Sequence, residues 1–296
     1  MKNKQISVLF VLLAGCLWGT TGIFTRTLDT MGINGIKVTF LRSFIAAATM
    51  FFIILFKDKS LFKFKIRDIW VFIGSGIFSF LFFSICYMFS IKLNSMSAAS
   101  VLLYTAPIFI AFISVPLFKE KITLKTALAI ILAVAGCTFS ALEPNFSMSS
   151  SGLVLGLLSG FGYALYSIFG RIAGNKGYST LTITFYTFLI ASIGGLFITD
   201  IKATYSALQT PRSILISIAC ALVTTVLPYL LYTSGLKGLT ASVASVTASV
   251  EPIAASLAGF IAFNENIELF GILGIVMIVC AIFILNFNCK RKNNMI

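Results

Sequence analysis

The sequence predicts an all-α polytopic membrane protein with ten transmembrane helices in two inverted five-helix repeats and with both termini in the cytoplasm. Three observations lead to this prediction: an apolar composition, ten apolar runs of membrane-spanning length, and a match of the chain to itself at a constant offset. Of the 296 residues, 58% are hydrophobic and only 10% are charged. A soluble domain carries about 25% charged residues, so lipid must cover much of this protein's surface.

Apolar runs make up nearly the whole chain. Each is about 18 residues or longer, which is the length of a spanning helix, and short polar stretches separate them. A transmembrane barrel would instead show alternating segments of about ten residues, and the chain shows no such alternation. The predicted spans are residues 7–26, 36–56, 70–91, 97–118, 124–142, 152–170, 181–199, 213–235, 240–263 and 267–287.

Lysine and arginine are distributed unevenly between the two sides of these spans. With the N-terminus inside, sixteen of them fall in cytoplasmic segments and five in outer segments. Cytoplasmic loops of membrane proteins carry this excess, which predicts that both termini are cytoplasmic. The net charge of +13 is therefore a topology signal, and no nucleic-acid partner is expected.

Residues that bind metals or carry nucleophilic catalysis are scarce. The chain has no histidine, and its six cysteines are scattered. Neither a zinc site nor a histidine-based triad is expected, and no other metal or cofactor is predicted. Leu13-Ala14-Gly15-Cys16 matches a lipoprotein signal, but the apolar residues that follow favour a continuous first span.

The chain matches itself when it is shifted by 145 residues. Polar residues and prolines coincide at this offset: Arg26 with Arg171, Tyr87 with Tyr232, Lys92 with Lys237, Pro107 with Pro252, and Glu120 with Glu265. The predicted repeats are residues 1–145 and 146–296. Each holds five spans, so the second half enters the membrane from the opposite side.

Inverted repeats are the architecture of many secondary transporters, whose substrate site lies near the midplane between the halves. Two homologous halves of opposite orientation can exchange conformations, which gives inward-open and outward-open states of similar energy. An intramembrane enzyme has no need of this symmetry and would require paired catalytic groups at one depth. The repeat therefore favours transport.

Several short motifs resemble those of a known family. They are Trp18-Gly19, Leu41-Arg42, Tyr104-Thr-Ala-Pro-Ile108, Phe118-Lys-Glu-Lys-Ile122 and Val250-Glu251-Pro252. With the ten spans, they make the chain similar to the EamA-type branch of the drug/metabolite transporter superfamily, with one EamA-type repeat in each half. The chain departs from the family pattern at Phe263-Asn-Glu-Asn266, where Gly-Glu is more usual, and at Thr187, which is the equivalent of Arg42.

The resemblance implies a central cavity lined mainly by helices 1–4 and 6–9, with helices 5 and 10 as scaffold. It implies a secondary transporter that moves a small organic metabolite, such as an amino acid, by alternating access, with export as the expected direction. Proton coupling and facilitated diffusion both fit, as do a monomer and a weak homodimer. The expected location is a bacterial cytoplasmic membrane. A lipid-linked sugar flippase is the main alternative.

Glu251 is the acidic residue that lies well inside a predicted span. An ionisable group at that depth costs about 3 kcal/mol on insertion scales, so it usually faces a polar cavity or a partner. Two interpretations stay open: Glu251 binds a cationic substrate group or carries a proton, or it is a neutral structural group. Pro252 cannot donate a backbone hydrogen bond, and it disfavours helical geometry at Glu251.

Pro252 and its repeat equivalent Pro107 are candidate hinges, with a static kink as the alternative. Arg42 is the clearest buried cation of the spans. It either attracts a substrate carboxylate, pairs with Glu251, or extends to the outer interface.

Tyrosine and tryptophan within the spans are candidates for the cavity wall, because each carries a polar group that needs a partner. The predicted cavity residues are Trp18, Arg42, Tyr87, Tyr104, Tyr163, Tyr186, Tyr229, Tyr232 and Glu251. An interfacial aromatic belt is the alternative for the aromatic members.

Glu120 and Glu265 follow the fourth and ninth spans on opposite sides of the membrane. They are candidate gates that pair with a neighbouring lysine or arginine, with solvated loop charges as the simpler alternative. The pairs Gly15/Gly19 and Gly156/Gly160 are expected to bring helices together within one chain.

Overall fold

A computed structural model describes residues 2–141, 149–266 and 268–286 of the protein. The predicted boundary between the repeats, at residues 145 and 146, lies outside these ranges, and so do Glu143, Cys289 and the basic cluster at 290–292. The described residues form helices and no strands.

Sixteen α-helices are labelled here in chain order. They are α1 Lys2–Gly19, α2 Thr21–Asp29, α3 Gly35–Lys57, α4 Ile69–Ile73, α5 Phe82–Leu93, α6 Met96–Leu103, α7 Ala106–Phe118, α8 Leu124–Ala141, α9 Ser150–Asn175, α10 Thr180–Leu196, α11 Ile201–Ala207, α12 Pro211–Ala221, α13 Leu227–Gly235, α14 Ala241–Ala248, α15 Glu251–Phe263 and α16 Leu269–Asn286. Two 3₁₀ turns, Lys59–Phe62 and Ile66–Asp68, precede α4.

These helices combine into ten spans, which confirms the predicted all-α polytopic membrane fold. Within the described ranges, nine helical segments are by themselves long and apolar enough to cross a membrane. The remaining span, the seventh, consists of α10, which is followed by α11 at a bend of 107°. It ends at Leu196, earlier than predicted. Asp200 starts a new helix there, because its side chain accepts a hydrogen bond from the backbone N–H of Ala203 at 2.9 Å.

The fourth and ninth spans are interrupted at repeat-equivalent positions. The fourth breaks between α6 and α7, at residues 104–105, and the ninth breaks between α14 and α15, at residues 249–250. Pro107 and Pro252 lie in the first turn of the helix that follows each break, where a missing N–H costs little. At Pro107 and Pro252, the predicted kinks are therefore interruptions of the fourth and ninth spans.

The third and eighth spans each contain a π-helical segment, at Gly74–Leu81 and Leu222–Val226. Residues 77–81 are the repeat equivalents of 222–226. Such segments are rare and occur frequently at functional sites, because the widened turn displaces side chains and carbonyl groups. In the eighth span, Pro228 follows the segment and removes one helical donor.

Glycines join each repeat to the other at the interrupted spans. A Cβ atom added to Gly15, in the first span, would lie 2.9 Å from the carbonyl oxygen of Ala248. A Cβ at the equivalent Gly160, in the sixth span, would lie 3.1 Å from the carbonyl oxygen of Leu103. Both carbonyls lie four residues before a proline, which has no N–H to offer them. The glycines therefore mediate packing within the chain.

The fifth and tenth spans, α8 and α16, pack on each other outside this arrangement. A Cβ at Gly136 would lie 2.8 Å from the carbonyl oxygen of Gly274. Neither helix contributes a residue to the central cavity described below, as expected for scaffold helices.

We predict that Gly160→Ala destabilises the protein by about 1–3 kcal/mol, because the new methyl group would overlap α6 and Thr105. Gly174→Ala is the matched control on the same helix, since nothing lies within 4 Å of its Cβ position. Thermal unfolding of the purified protein measures the difference. Equal midpoints for the two variants would contradict the close helix contact.

Candidate functional site

A cavity of about 500 Å³ lies between the two repeats. It extends from Glu251, in the middle of the ninth span, to Asp29, Asn34 and Glu265 at the ends of spans. We call the side of the molecule where it opens the Arg26 face. The lining comes from spans 1–4, 6, 8 and 9, and none of the lining residues belongs to the seventh span.

Glu251 lies on the cavity wall at the start of α15. The interruption before it places its carboxylate in the first turn of a helix, which is the favourable end for negative charge. The hydroxyl of Tyr163 donates to Oε2 of Glu251 across 3.2 Å. Tyr163 belongs to the first helix of the second repeat, so this contact holds the carboxylate against the sixth span.

Arg42 lies on the same cavity and is held by the π-helical segment of the eighth span. Its Nε donates to Oγ1 of Thr225 at 2.8 Å, and its Nη2 donates to the carbonyl oxygen of Thr224 at 2.9 Å. The guanidinium also lies 5.9 Å from the ring centre of Phe80. Arg42 therefore points inward, and its hydrogen-bond partners are in the other repeat.

Glu251 and Arg42 do not form an ion pair with each other: the ion pairs among the described residues involve other groups. The cavity thus presents a carboxylate and a guanidinium as separate groups. Opposite charges that line one cavity without contact can bind the two ends of a zwitterion, because each end then gains a partner of the opposite sign.

Aromatic rings form much of the remaining wall. Trp18 packs edge-on against Tyr163 at 6.1 Å and against Tyr229 at 5.2 Å between ring centres, and all three rings line the cavity. Tyr87 also lines it, and its hydroxyl shares a hydrogen bond of 2.9 Å with Ser100. These rings provide an apolar surface for an organic group.

Three predicted cavity residues lie elsewhere. Tyr104 is half-buried at the interruption of the fourth span, and Tyr186 donates to the carbonyl oxygen of Phe62 at 2.6 Å, close to the turn after the second span. Tyr232 is buried and shares a hydrogen bond of 2.7 Å with Ser167. None of the three belongs to the lining of the central cavity, which the positions of the spans alone do not reveal.

Buried aromatic residues close the inner end of the cavity. Tyr166, Phe188, Tyr229 and Tyr232, here called the aromatic barrier, are all 5% exposed or less. Tyr166 packs edge-on against Tyr229 at 4.7 Å between ring centres, and its hydroxyl shares a hydrogen bond of 2.6 Å with Thr233. The barrier lies between the cavity and the opposite face.

A second cavity, of about 370 Å³, lies beyond the barrier. Its wall includes Arg171, Asn175, Thr233 and Lys237. We call this space the vestibule and the side of the molecule that it occupies the Arg171 face. Because Thr233 belongs to its wall and contacts Tyr166, the barrier separates the vestibule from the central cavity.

Ion pairs between the repeats lie at both faces. At the Arg171 face, Nη1 of Arg171 lies 2.9 Å from Oε1 of Glu120, whose side chain is only 6% exposed. At the Arg26 face, Arg26 pairs with Glu265, and both side chains are about half exposed, at 46% and 48%. Both candidate gate glutamates thus pair with an arginine of the other repeat, and neither is a free loop charge.

A further ion pair reinforces the Arg171 face. The carboxylate of Asp68, before the third span, accepts hydrogen bonds from Nζ of Lys176 and from the hydroxyl of Tyr178, both at 2.7 Å. Both donors lie in the connection between the sixth and seventh spans. The repeat equivalents of the three residues are Ser213, Met31 and Ile33, which cannot form an equivalent ion pair at the Arg26 face.

Sequence reasoning missed Thr224 and Thr225, which hold Arg42, and Ser84 and Met88, which line the cavity. The offset of 145 residues could have indicated Ser84, because it is the equivalent of Tyr229. No sequence signal indicated the two threonines, since their role depends on the π-helical segment.

The fold and the cavity define a polytopic helical membrane protein built from two inverted repeats around a polar central site. Comparisons with known proteins agree. The model of the EamA-like transporter family matches residues 5–142 and again residues 150–287. The chain therefore belongs to the EamA-like transporter family.

Two relatives are described as uncharacterized transporters. An uncharacterized transporter of Archaeoglobus fulgidus is 29% identical over 278 residues, which is 93% of this chain and 94% of the relative. The uncharacterized transporter YetK of Bacillus subtilis is 25% identical over 86% of this chain and 78% of its own length. A crystal structure has a similar fold, with a TM-score of 0.79 at 16% identity over 94% of this chain and 95% of that chain.

We predict that Tyr166→Phe lowers the free energy of unfolding by about 1 kcal/mol, because the buried hydroxyl of Thr233 loses its partner. Tyr205→Phe is the control, since Tyr205 is 71% exposed. Thermal unfolding should show a lower midpoint for the first variant only. An unchanged midpoint for Tyr166→Phe would mean that this hydrogen bond does not stabilise the barrier.

Proposed function

We propose that this protein is a secondary transporter that moves a small organic metabolite, an amino acid or a related zwitterion, by alternating access. One observation supports this most strongly: Glu251 and Arg42 line the same cavity as separate charges. A free zwitterion can offer its ammonium group to Glu251 and its carboxylate to Arg42, while its side chain lies against Trp18 and Tyr163.

The cavity size fits this substrate class. Small-molecule sites occupy about 300–1,000 Å³, and the central cavity has about 500 Å³. The desolvation of both charged ends of a zwitterion is costly, and charge-assisted hydrogen bonds offset this cost. A neutral solute would give neither Glu251 nor Arg42 a group of opposite charge.

The distribution of lysine and arginine supports an orientation with the Arg26 face outside the cell, and the proposed location is a bacterial cytoplasmic membrane. The described conformation is then open outward and closed inward. In export, the solute would enter from the vestibule side and leave through the central cavity. Protons are the candidate coupling ion, because Glu251 can hold a proton in place of an ammonium group.

We predict that neutral amino acids raise the thermal unfolding midpoint of the native protein and that Glu251→Gln abolishes this response. A ligand that binds only the folded state stabilises it, by about 2.7 kcal/mol at a concentration of 100 times Kd. Glutamine keeps an acceptor for Tyr163 but removes the charge. Arg42→Gln should also abolish the response, and Glu268→Gln, an exposed position, should retain it.

Counterflow of a labelled amino acid in proteoliposomes tests transport itself. The native protein and Glu268→Gln should exchange the label, and Glu251→Gln should not. If an amino acid still raises the thermal unfolding midpoint of both Glu251→Gln and Arg42→Gln, the proposed zwitterion site is excluded. Uptake that an imposed pH gradient accelerates in the native protein would support proton coupling, and uptake that is independent of the gradient would indicate facilitated diffusion.

A further inference from the structure

The vestibule and the mouth of the central cavity are lined by repeat-equivalent residues. Six positions of the cavity wall, each shifted by 145, fall on the vestibule wall: Thr25 on Gly170, Arg26 on Arg171, Asp29 on Gly174, Val38 on Ile183, Met88 on Thr233, and Ile91 on Leu236. The vestibule is therefore the structural counterpart of the mouth of the central cavity: the mouth is open, and the vestibule is closed.

The Glu120–Arg171 and Glu265–Arg26 ion pairs are built by the same local backbone structure. Lys119 and Asn264, the residues just before Glu120 and Glu265, both adopt left-handed backbone geometry, with φ of 53° and 55°. A phenylalanine at the end of the preceding helix lies under each arginine, with Phe118 at 5.1 Å from Arg171 and Phe263 at 4.7 Å from Arg26.

The surroundings of the two pairs differ. Glu120 caps α14: its Oε1 accepts from the backbone N–H of Ala241 at 3.1 Å, and its Oε2 accepts from the hydroxyl of Ser242 at 3.0 Å. Arg171 also donates to the carbonyl oxygen of Leu239 at 3.1 Å. Among the side chains that the structure describes, Glu265 makes no contact of this kind with α6, the equivalent helix, and the open cavity mouth lies between them.

The N-terminus of α6 has the same features as the N-terminus of α14, which Glu120 contacts. Ser95 caps it by accepting from the N–H of Ala98 at 3.0 Å, as Thr240 caps α14 by accepting from the N–H of Val243 at 3.3 Å. The equivalent of Ala241 is Met96, which lies on the cavity wall. The equivalent of Ser242 in the sequence is also a serine.

We propose that the vestibule is the second end of the transport path. It opens when Glu120 releases the N-terminus of α14 and Glu265 forms the equivalent contact with the N-terminus of α6, a change that we call the exchange. In the alternate state, Glu265 accepts from the N–H of Met96 at the start of α6, and Arg26 is buried beside it. Glu120 and Arg171 are then half exposed at an open vestibule. This inference rests on the proposed alternating access and identifies the contacts that close each face.

Burial determines what each glutamate stabilises. An exposed ion pair contributes little, whereas the loss of one partner from a buried pair is costly. Glu120→Gln should therefore destabilise the described state and favour the alternate one. Glu265→Gln should have little effect on the described state but destabilise the alternate one. Substitutions at equivalent positions should shift the protein in opposite directions.

Cysteine reporters at Met88 and Thr233 measure this shift. They are repeat equivalents: Met88 lies on the open cavity wall, and Thr233 lies on the vestibule wall and is only 2% exposed. Each is introduced into a chain whose six native cysteines are replaced by alanine. A charged thiol reagent is applied to the protein in nanodiscs without any solute, so both faces are accessible.

Glu120→Gln should raise the labelling rate of Thr233→Cys and lower that of Met88→Cys, each about fivefold, as expected for the loss of a buried charge pair. Glu265→Gln should lower the already slow labelling of Thr233→Cys and leave Met88→Cys unchanged. The control Glu268→Gln should change neither rate. The decrease at Met88→Cys is decisive, because local loosening at the Arg171 face would not produce it.

Faster labelling at Thr233→Cys without slower labelling at Met88→Cys would overturn the exchange, as would shifts in the same direction for both glutamine variants. The outcome is independent of the proposed substrate. If the rates shift as expected and no amino acid binds, the substrate class fails and the exchange stands. If an amino acid is transported and the rates do not shift, the exchange alone fails.

Discussion

The structure depends on close packing between helices that carry glycine and spans that are interrupted. A lipid environment offers no hydrogen bonds, so a break in a spanning helix is tolerated only where protein covers it. Gly15 and Gly160 allow the first and sixth spans to approach the breaks in the ninth and fourth spans closely. These contacts join each repeat to the other, and they place Glu251, Trp18 and Tyr163 around one central space.

The two repeats share a backbone design but differ in the side chains that it presents. The break and the proline occur twice, but the intramembrane carboxylate occurs once, since Ala106 is the equivalent of Glu251. Three of the four residues of the aromatic barrier, Tyr166, Phe188 and Tyr229, correspond to Thr21, Ser43 and Ser84 in the first repeat, whereas Tyr232 corresponds to another tyrosine, Tyr87. Large rings close the Arg171 face, while small residues leave room at the Arg26 face. The described conformation is open on the side where the side chains are small.

Some elements of the site could be predicted from single residues, and others could not. Glu251 is predicted from its charge, and Trp18 and Tyr163 from aromatic rings that carry a polar group within the spans; all three line the cavity. Tyr104 and Tyr186 shared the same signal and lie elsewhere, because depth in the membrane does not specify the direction of a side chain around its helix. The anchoring of Arg42 by Thr224 and Thr225 depends on a π-helical segment in another span, and no local pattern around Arg42 indicates it.

The sequence by itself determined the class of the protein. Apolar runs of spanning length, an uneven distribution of positive charge and one constant offset led to ten helices in two inverted repeats, because lipid solvation and helix length act on each segment separately. Only the tertiary structure decided which face is closed and which charges are paired. Burial of Glu120 against α14, exposure of Glu265 and the separation of Glu251 from Arg42 follow from contacts between residues that are far apart in the chain, and those contacts exist only after the helices have packed.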